Sequence, residues 1–319
     1  MNVELFVERE ELVVSDIKQQ NAVSVEFEDY SQSANTLFHF VKEPTYLKDI
    51  LTDKALKPRY CREDIRYLNL KSWEDILILQ KCFCDIPLEM LTRNTRIQII
   101  DPYDLTKEDI TSIEKQNSHT DFYGKFGIGF TKTWGESNHL QQVQYINQVS
   151  ELSLDIRGMF NYLMNQNDVA DVITEDFIYR LAYLKPLRGR MLREYELAGG
   201  EKKNISILKN FHDEKEWRYI PNRKQLVEYR QVIANRNIVN TSDAVRLMNN
   251  VIQASKKELW LPIEYDSIRY LIVPTVKDRM DLIEFIVNLP SENFIENAEM
   301  HKYLLVSKIM VLDELRKDV

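Results

Sequence analysis

Two carboxylates and one imidazole carry the chemistry legible in this chain. Glu214 and Glu216 stand two apart in FHDEKEWRYIP, residues 211–221, and the alternation predicts a strand that puts both acids on one face. One could hold a ribose hydroxyl while the other steers an acceptor, and a solvated charged edge strand is the competing reading. The same reading turns Arg218 away from Glu216. His39 lies between Phe38 and Phe40 in TLFHFV, so it faces opposite to both rings. If the rings face the core, the imidazole faces a cleft or solvent, where it could bond a ribose hydroxyl. Alternatively it is a half-buried ring satisfied by backbone.

Other chemistries find less support. The five histidines (39, 119, 139, 212 and 301) are dispersed, and a metal site needs a cluster of ligands; no metal is expected. The three cysteines, Cys61, Cys82 and Cys84, lack CxxC spacing, and Cys82 and Cys84 read as small core groups on one strand face. No GxSxG or phosphate-cradling glycine loop occurs. YGKFGIGF, 123–130, has glycines at 124, 127 and 129. The last two share a face, which permits close approach of a backbone or a planar ligand, and Tyr123 could stack on a heterocycle.

The positioning elements form a mixed series. TLFHFV predicts a strand, Pro44 opens a helix that Pro58 stops, and KCFCDI, 81–86, predicts a second strand. Thr106 and Asp109 have capping-box spacing before a helix. Residues 140–182 read as mostly helical, with Leu152, Ile156 and Met159 on one face, then Phe160 and Leu163. IRYLIV, 268–273, is β-branched and closed by Pro274. A helix with Met280, Ile283 and Val287 inward follows, and 297–317 reads as helix. Strands and helices mix without strict βαβ alternation, so the expected class is α+β. The expected organisation is an acidic N-terminal appendage over 1–34, a core over 35–290 with a helical insertion around 140–182, and a C-terminal helical segment over 291–319.

The formal net charge of −8 argues against general nucleic-acid affinity. Charge is uneven, however. Residues 1–30 hold eight acids and two bases, whereas 180–193 hold five bases (Arg180, Lys185, Arg188, Arg190 and Arg193) and no acid. With Tyr179, Tyr183 and Tyr195 interleaved, that strip has the composition that grips single-stranded nucleic acid, or equally a partner-binding surface. The odd cysteine count, the lack of a signal-like start and the lack of a membrane-length apolar run imply a cytoplasmic protein without a membrane span.

Taken together, LFHFVKEPTYLKDILTDKALKPRYC, CFCDIPL, HTDFYGKFGIGFTKTWG, FHDEKEWRYIP and IRYLIVPTVKDRMDLIEFI resemble the AbiGi family, which is associated with abortive phage infection and labelled an antitoxin. A strand histidine, the following helix and a late strand glutamate are also similar, more distantly, to DarT-like ADP-ribosyltransferases. That second resemblance implies split mixed or antiparallel sheets with surrounding helices and NAD as substrate. It implies that His39, beside Phe40, contacts the nicotinamide ribose, that Tyr60 or Tyr123 stacks on nicotinamide, and that Glu216 or Glu214 is the catalytic carboxylate. ADP-ribose would pass to RNA, single-stranded DNA or protein, with Arg188, Arg190 and Arg193 holding a nucleic-acid acceptor. An antitoxin or chaperone would restrain such a toxin. The alternative is a non-catalytic antitoxin or regulatory subunit that binds a partner toxin through the basic strip and the C-terminal helices.

Overall fold

The computed structural model describes residues 34–71, 73–165, 171–222, 226, 229–294 and 297–317. The expected acidic appendage falls outside the described residues, apart from residue 34.

Along the chain, β1 (Thr36–Val41) leads through α1 (Pro44–Asp53) to β2 (Arg59–Asp64) and β3 (Asp75–Cys84). Next come β4 (Ile97–Ile99), α2 (Lys107–Glu114), α3 (His119–Tyr123), β5 (Phe126–Thr131) and β6 (Gln141–Gln142). Two helices, α4 (Glu151–Asn165) and α5 (Asp171–Leu181), precede β7 (Leu184–Pro186), β8 (Arg188–Glu196), β9 (Lys202–Asn210) and β10 (Glu216–Tyr219). The remainder comprises β11 (Val232–Ile233), α6 (Ser242–Ser255), β12 (Ile268–Val273), α7 (Val276–Val287), α8 (Ala298–Ser307) and β13 (Ile309–Val311). The class is α+β, as expected.

The main sheet runs β13-β12-β5-β1-β3-β10-β6, with β2 and β11 also on β3. Its pairings are antiparallel except for β12 with β13. A smaller antiparallel sheet has the order β8-β9-β4. The main sheet is divided at its middle. β1 and β3 share one register position, Phe38 opposite Cys84. Below it, β2 takes over that edge of β3, beginning with Arg59 opposite Gln80. The edge of β3 between these partners, Lys81 to Phe83, is left without a strand neighbour, and a groove opens there.

Local sequence explains most element ends. Pro44 opens α1, and Lys54 in the left-handed region closes it before Pro58 is reached. Thr106 and Asp109 form the capping box of α2, and Ser118 and Asp121 form another on α3. Three expectations need correction. β3 begins at Asp75, because DILIL is buried continuously and shows no alternation. The final segment is not all helix: Ile309–Val311 is a strand, held by parallel pairing with Leu271–Val273 that no local pattern reports. The apolar helix faces are also only partly covered. In α4, Phe160 and Leu163 are buried while Leu152 and Met159 are exposed. In α7, Leu282 and Ile286 are buried while Met280 and Val287 are exposed.

Candidate functional site

The groove lies where β1 and β3 part. Its inner portion, about 420 Å³, is lined by His39, Phe40, Tyr123, Lys185, Glu214 and Glu216 among others. Its outer portion, about 520 Å³, shares His39, Phe40, Arg59, Lys81 and Tyr123 with the inner one and extends to α1. The early imidazole and the two late carboxylates therefore line one cavity.

His39 sits in the gap itself. Its Nδ1 is 2.8 Å from the carbonyl oxygen of Cys82, on the stretch of β3 where β1 and β2 leave one edge without a neighbour. Nδ1 therefore carries the proton, which leaves Nε2 an acceptor; that atom is buried and has no hydrogen-bond partner. Burial, and then the neighbouring Lys81 charge, hold the ring well below the usual histidine range, so it is neutral. Phe40 borders both portions. Its ring covers Gly127, where a Cβ would meet Phe40 Cε1 at 2.7 Å, and Phe38 likewise covers Gly129. The glycines thus admit the chain's own rings, not a planar ligand.

The two carboxylates do not share a strand face. Glu214 ends a 3₁₀ turn, Phe211–Glu214, and Lys215 in the left-handed region turns the chain into β10 at Glu216. The acids nonetheless meet through Lys185, whose Nζ is 2.6 Å from Glu214 Oε2 and 2.6 Å from Glu216 Oε2. Lys185 is set on β7 opposite Tyr145, whose hydroxyl accepts the Glu216 N–H at 2.8 Å. Lys209 Nζ reaches Glu214 Oε1 at 2.6 Å, and the Tyr123 hydroxyl donates to the same oxygen. Arg218 is on the same side as Glu216, contrary to the sequence reading: its Nε lies 2.7 Å from Glu216 Oε1. Strand alternation requires this, since residues 216 and 218 are two apart. Arg218 is 0% exposed, gives a second bond to the Ala182 carbonyl at 2.5 Å, and approaches Glu63 at 3.3 Å.

The electrostatics follow from this packing. Burial pushes Glu214 up, but Lys185 and Lys209 outweigh it and hold the acid at about 2. Burial likewise opposes ionisation of Glu216, and Arg218 with Lys185 overcome it, leaving the carboxylate well below its usual range. Lys185 is raised well above the ordinary lysine range, because the two glutamates outweigh its burial. Burial pushes His119, whose ring is 4.7 Å from that of Tyr123, down to about 3. The inner end thus holds ionised acids and bases in mutual contact, beside neutral rings.

Other expected site residues lie elsewhere. Tyr60 is buried among Leu77, Leu79 and Ile252, donates its hydroxyl to the Arg230 carbonyl at 2.6 Å, and does not line the groove. Of the two tyrosines considered for stacking, only Tyr123 borders the cavity, and it does so from α3. Arg193 is not a free phosphate contact: it is half-buried over Phe122 and Tyr195 and donates to the Gln116 and Asp121 carbonyls. Arg188 and Arg190 are exposed on β8, in line with the exposed Leu192. Sequence reasoning missed Lys185, Lys209 and Arg218 as partners of the acids, and Lys81 as a groove residue. Lys185 was in view as part of the basic strip; its destination depends on the β7 pairing. Among the described residues no group of three or more His, Cys, Asp or Glu is arranged to hold a metal ion, and no helix is long and apolar enough to cross a membrane.

The structure defines an α+β protein with a divided sheet and an enclosed, internally neutralised charge cluster at the division. Residues 108–274 match the family model described as "Putative abortive phage resistance protein AbiGi, antitoxin". Over 277 residues the chain is 31% identical to the abortive phage resistance protein AbiGi of Lactococcus lactis subsp. cremoris, an alignment covering 83% of this chain and 99% of that relative. The chain belongs to the AbiGi family of abortive phage resistance proteins. No solved structure matches it.

Proposed function

We propose that the chain is the antitoxin-type component of an abortive-infection system and restrains a partner toxin by binding it. The observation that carries this reading is the saturation of both groove carboxylates. Glu214 and Glu216 are held by Lys185, Lys209 and Arg218, an arrangement that stabilises a fold and leaves neither acid free for general-base work. The family description favours the same reading. The chain also has apolar surface to offer a partner: Met300, Tyr303 and Leu304 are exposed on one face of α8. Co-expression tests the proposal. The chain alone should leave growth unaffected, and it should rescue cells from the toxin encoded beside it. A chain that itself arrests growth and rescues nothing would sink the reading.

A second reading is supported by the convergence of His39, Tyr123, Glu214 and Glu216 on one groove. It is NAD-dependent ADP-ribosyl transfer. The C–N bond to nicotinamide would break, nicotinamide would depart, and an acceptor oxygen or nitrogen would bond the anomeric carbon as its proton is lost. Glu216 would stabilise the oxocarbenium-like ribose, provided Lys185 yields its contact. His39 Nε2 is an available acceptor for a ribose hydroxyl. The test is transfer of label from NAD to protein, RNA or single-stranded DNA. Absence of transfer to all three from a chain that arrests growth removes this reading. Glu216→Gln alone is not a clean test, because it also removes the nearer of the two carboxylates that hold buried Arg218.

A further inference from the structure

We infer that the outer portion of the groove is a binding site for a nucleoside diphosphate, anchored by Lys81. The inference deepens the transfer reading, whose NAD contains a nucleoside diphosphate, and stands without it, because binding there requires neither group transfer nor a toxin.

The argument begins with charge balance. At the inner end Glu63, Glu214, Glu216 and Lys185 each have an opposite partner within reach. At the outer end, among the described residues, Lys42, Arg59 and Lys81 line the cavity and make no ion pair, while Lys57 is paired with Asp53 at 2.8 Å. The one acid there without an ion pair is Asp49. Lys81 is half-buried on the stretch of β3 whose one edge is open, where no carboxylate compensates it, and burial pushes it down to about 8. A half-buried, uncompensated cation at a cavity wall is a vacancy for an anion. Three cations around one mouth suit a group with more than one negative charge.

A second observation is independent of charge. His39 borders the same cavity, and its buried Nε2 accepts no hydrogen bond. A sugar hydroxyl supplies the missing donor. Exposed Tyr46 also borders the outer portion and offers a ring face. Anion, hydroxyl donor and planar ring together specify a nucleotide. A cavity of about 520 Å³ is within the range of small-molecule sites.

Calorimetry on the full chain with ADP, pyrophosphate and adenosine separates the parts. ADP should bind, pyrophosphate should displace it, and adenosine should bind at least tenfold more weakly. Lys81→Met should weaken ADP at least tenfold without lowering the urea midpoint. Arg59→Gln, at an exposed side chain, should weaken it several-fold. No heat with ADP up to the order of 1 mM, failure of pyrophosphate to displace it, adenosine binding as tightly as ADP, or unchanged ADP affinity in Lys81→Met overturns the inference. Should Lys81→Met not fold, unchanged affinity in Arg59→Gln overturns it instead. ADP carries no nicotinamide, so its binding is read separately from transfer. Label transfer from NAD that persists in Lys81→Met would end this inference and leave the transfer reading standing.

Discussion

The two ends of the groove solve opposite problems. At the inner end, Glu214, Glu216, Lys185, Lys209 and Arg218 are all buried or nearly so, and each charge touches another of opposite sign. At the outer end Lys42, Arg59 and Lys81 remain uncompensated beside water. A buried charge without a partner is strongly unfavourable, so removing one member of the inner cluster is costly. Exposed Lys42 and Arg59 carry no such penalty, and half-buried Lys81 carries only part of it. Charges in one cavity thus divide into those that hold the protein together and those left available to something else.

Substitutions can break that division. The largest effect is expected from Glu216→Ala, which removes the nearer of the two carboxylates that hold buried Arg218 and should lower stability by about 3–5 kcal/mol in urea unfolding. A loss below about 1 kcal/mol would mean that the inner cluster is not structural. Gly127→Ala comes next. The added Cβ would sit 2.7 Å from the Phe40 ring and 3.3 Å from Ile272 Cβ, and overpacking of this kind costs about 1–3 kcal/mol.

Acid should sharpen the comparison without any mutation. Glu214 has its folded value depressed to about 2, below its unfolded value. Its contribution to stability is therefore complete above the unfolded value and is lost as pH falls toward 2. Urea midpoints followed from neutral pH downward should decline through that window, and a flat profile would contradict the ion pairing. At the other end of the scale Lys81 loses its charge as pH rises through about 8. Burial keeps the Cys61 and Cys82 thiols above their ordinary value. ADP affinity should consequently fall on passing from pH 7 to 9 in the wild type and be insensitive in Lys81→Met. The smallest effect is expected for Arg190→Ala on the exposed face of β8, within about 0.5 kcal/mol of wild type. Arg193→Ala, three residues along, should lose more, because that side chain stacks on Phe122 and Tyr195.

What the sequence disclosed was local. β1, the proline that opens α1, the Thr106 capping box and β12 are each written in a few consecutive residues, and all four are present. The convergence of His39 with Glu214 and Glu216 could be suspected from residue type. The partners of those acids could not, because Lys185 and Lys209 arrive from β7 and β9 through pairings set by the whole chain. Helix faces were legible only in part for a related reason. Exposed Leu152, Met159, Met280 and Val287 supply the same periodicity as buried residues, and apolarity alone does not say which stripe is covered. Tyr60 and Tyr123 were indistinguishable until the course of β2 carried one of them to the other side of β3.

Between Phe38 and Arg59 the ladder along β3 misses its rungs, and only an imidazole reaches across. Peptide groups on that edge meet no neighbouring strand, and no side-chain replacement can delete them. Relatives could therefore exchange nearly every residue around the opening and still present the same main-chain template to whatever enters it. Comparing how the backbone parts there, more than which side chains surround it, is the way to ask whether two members of the family grip the same molecule.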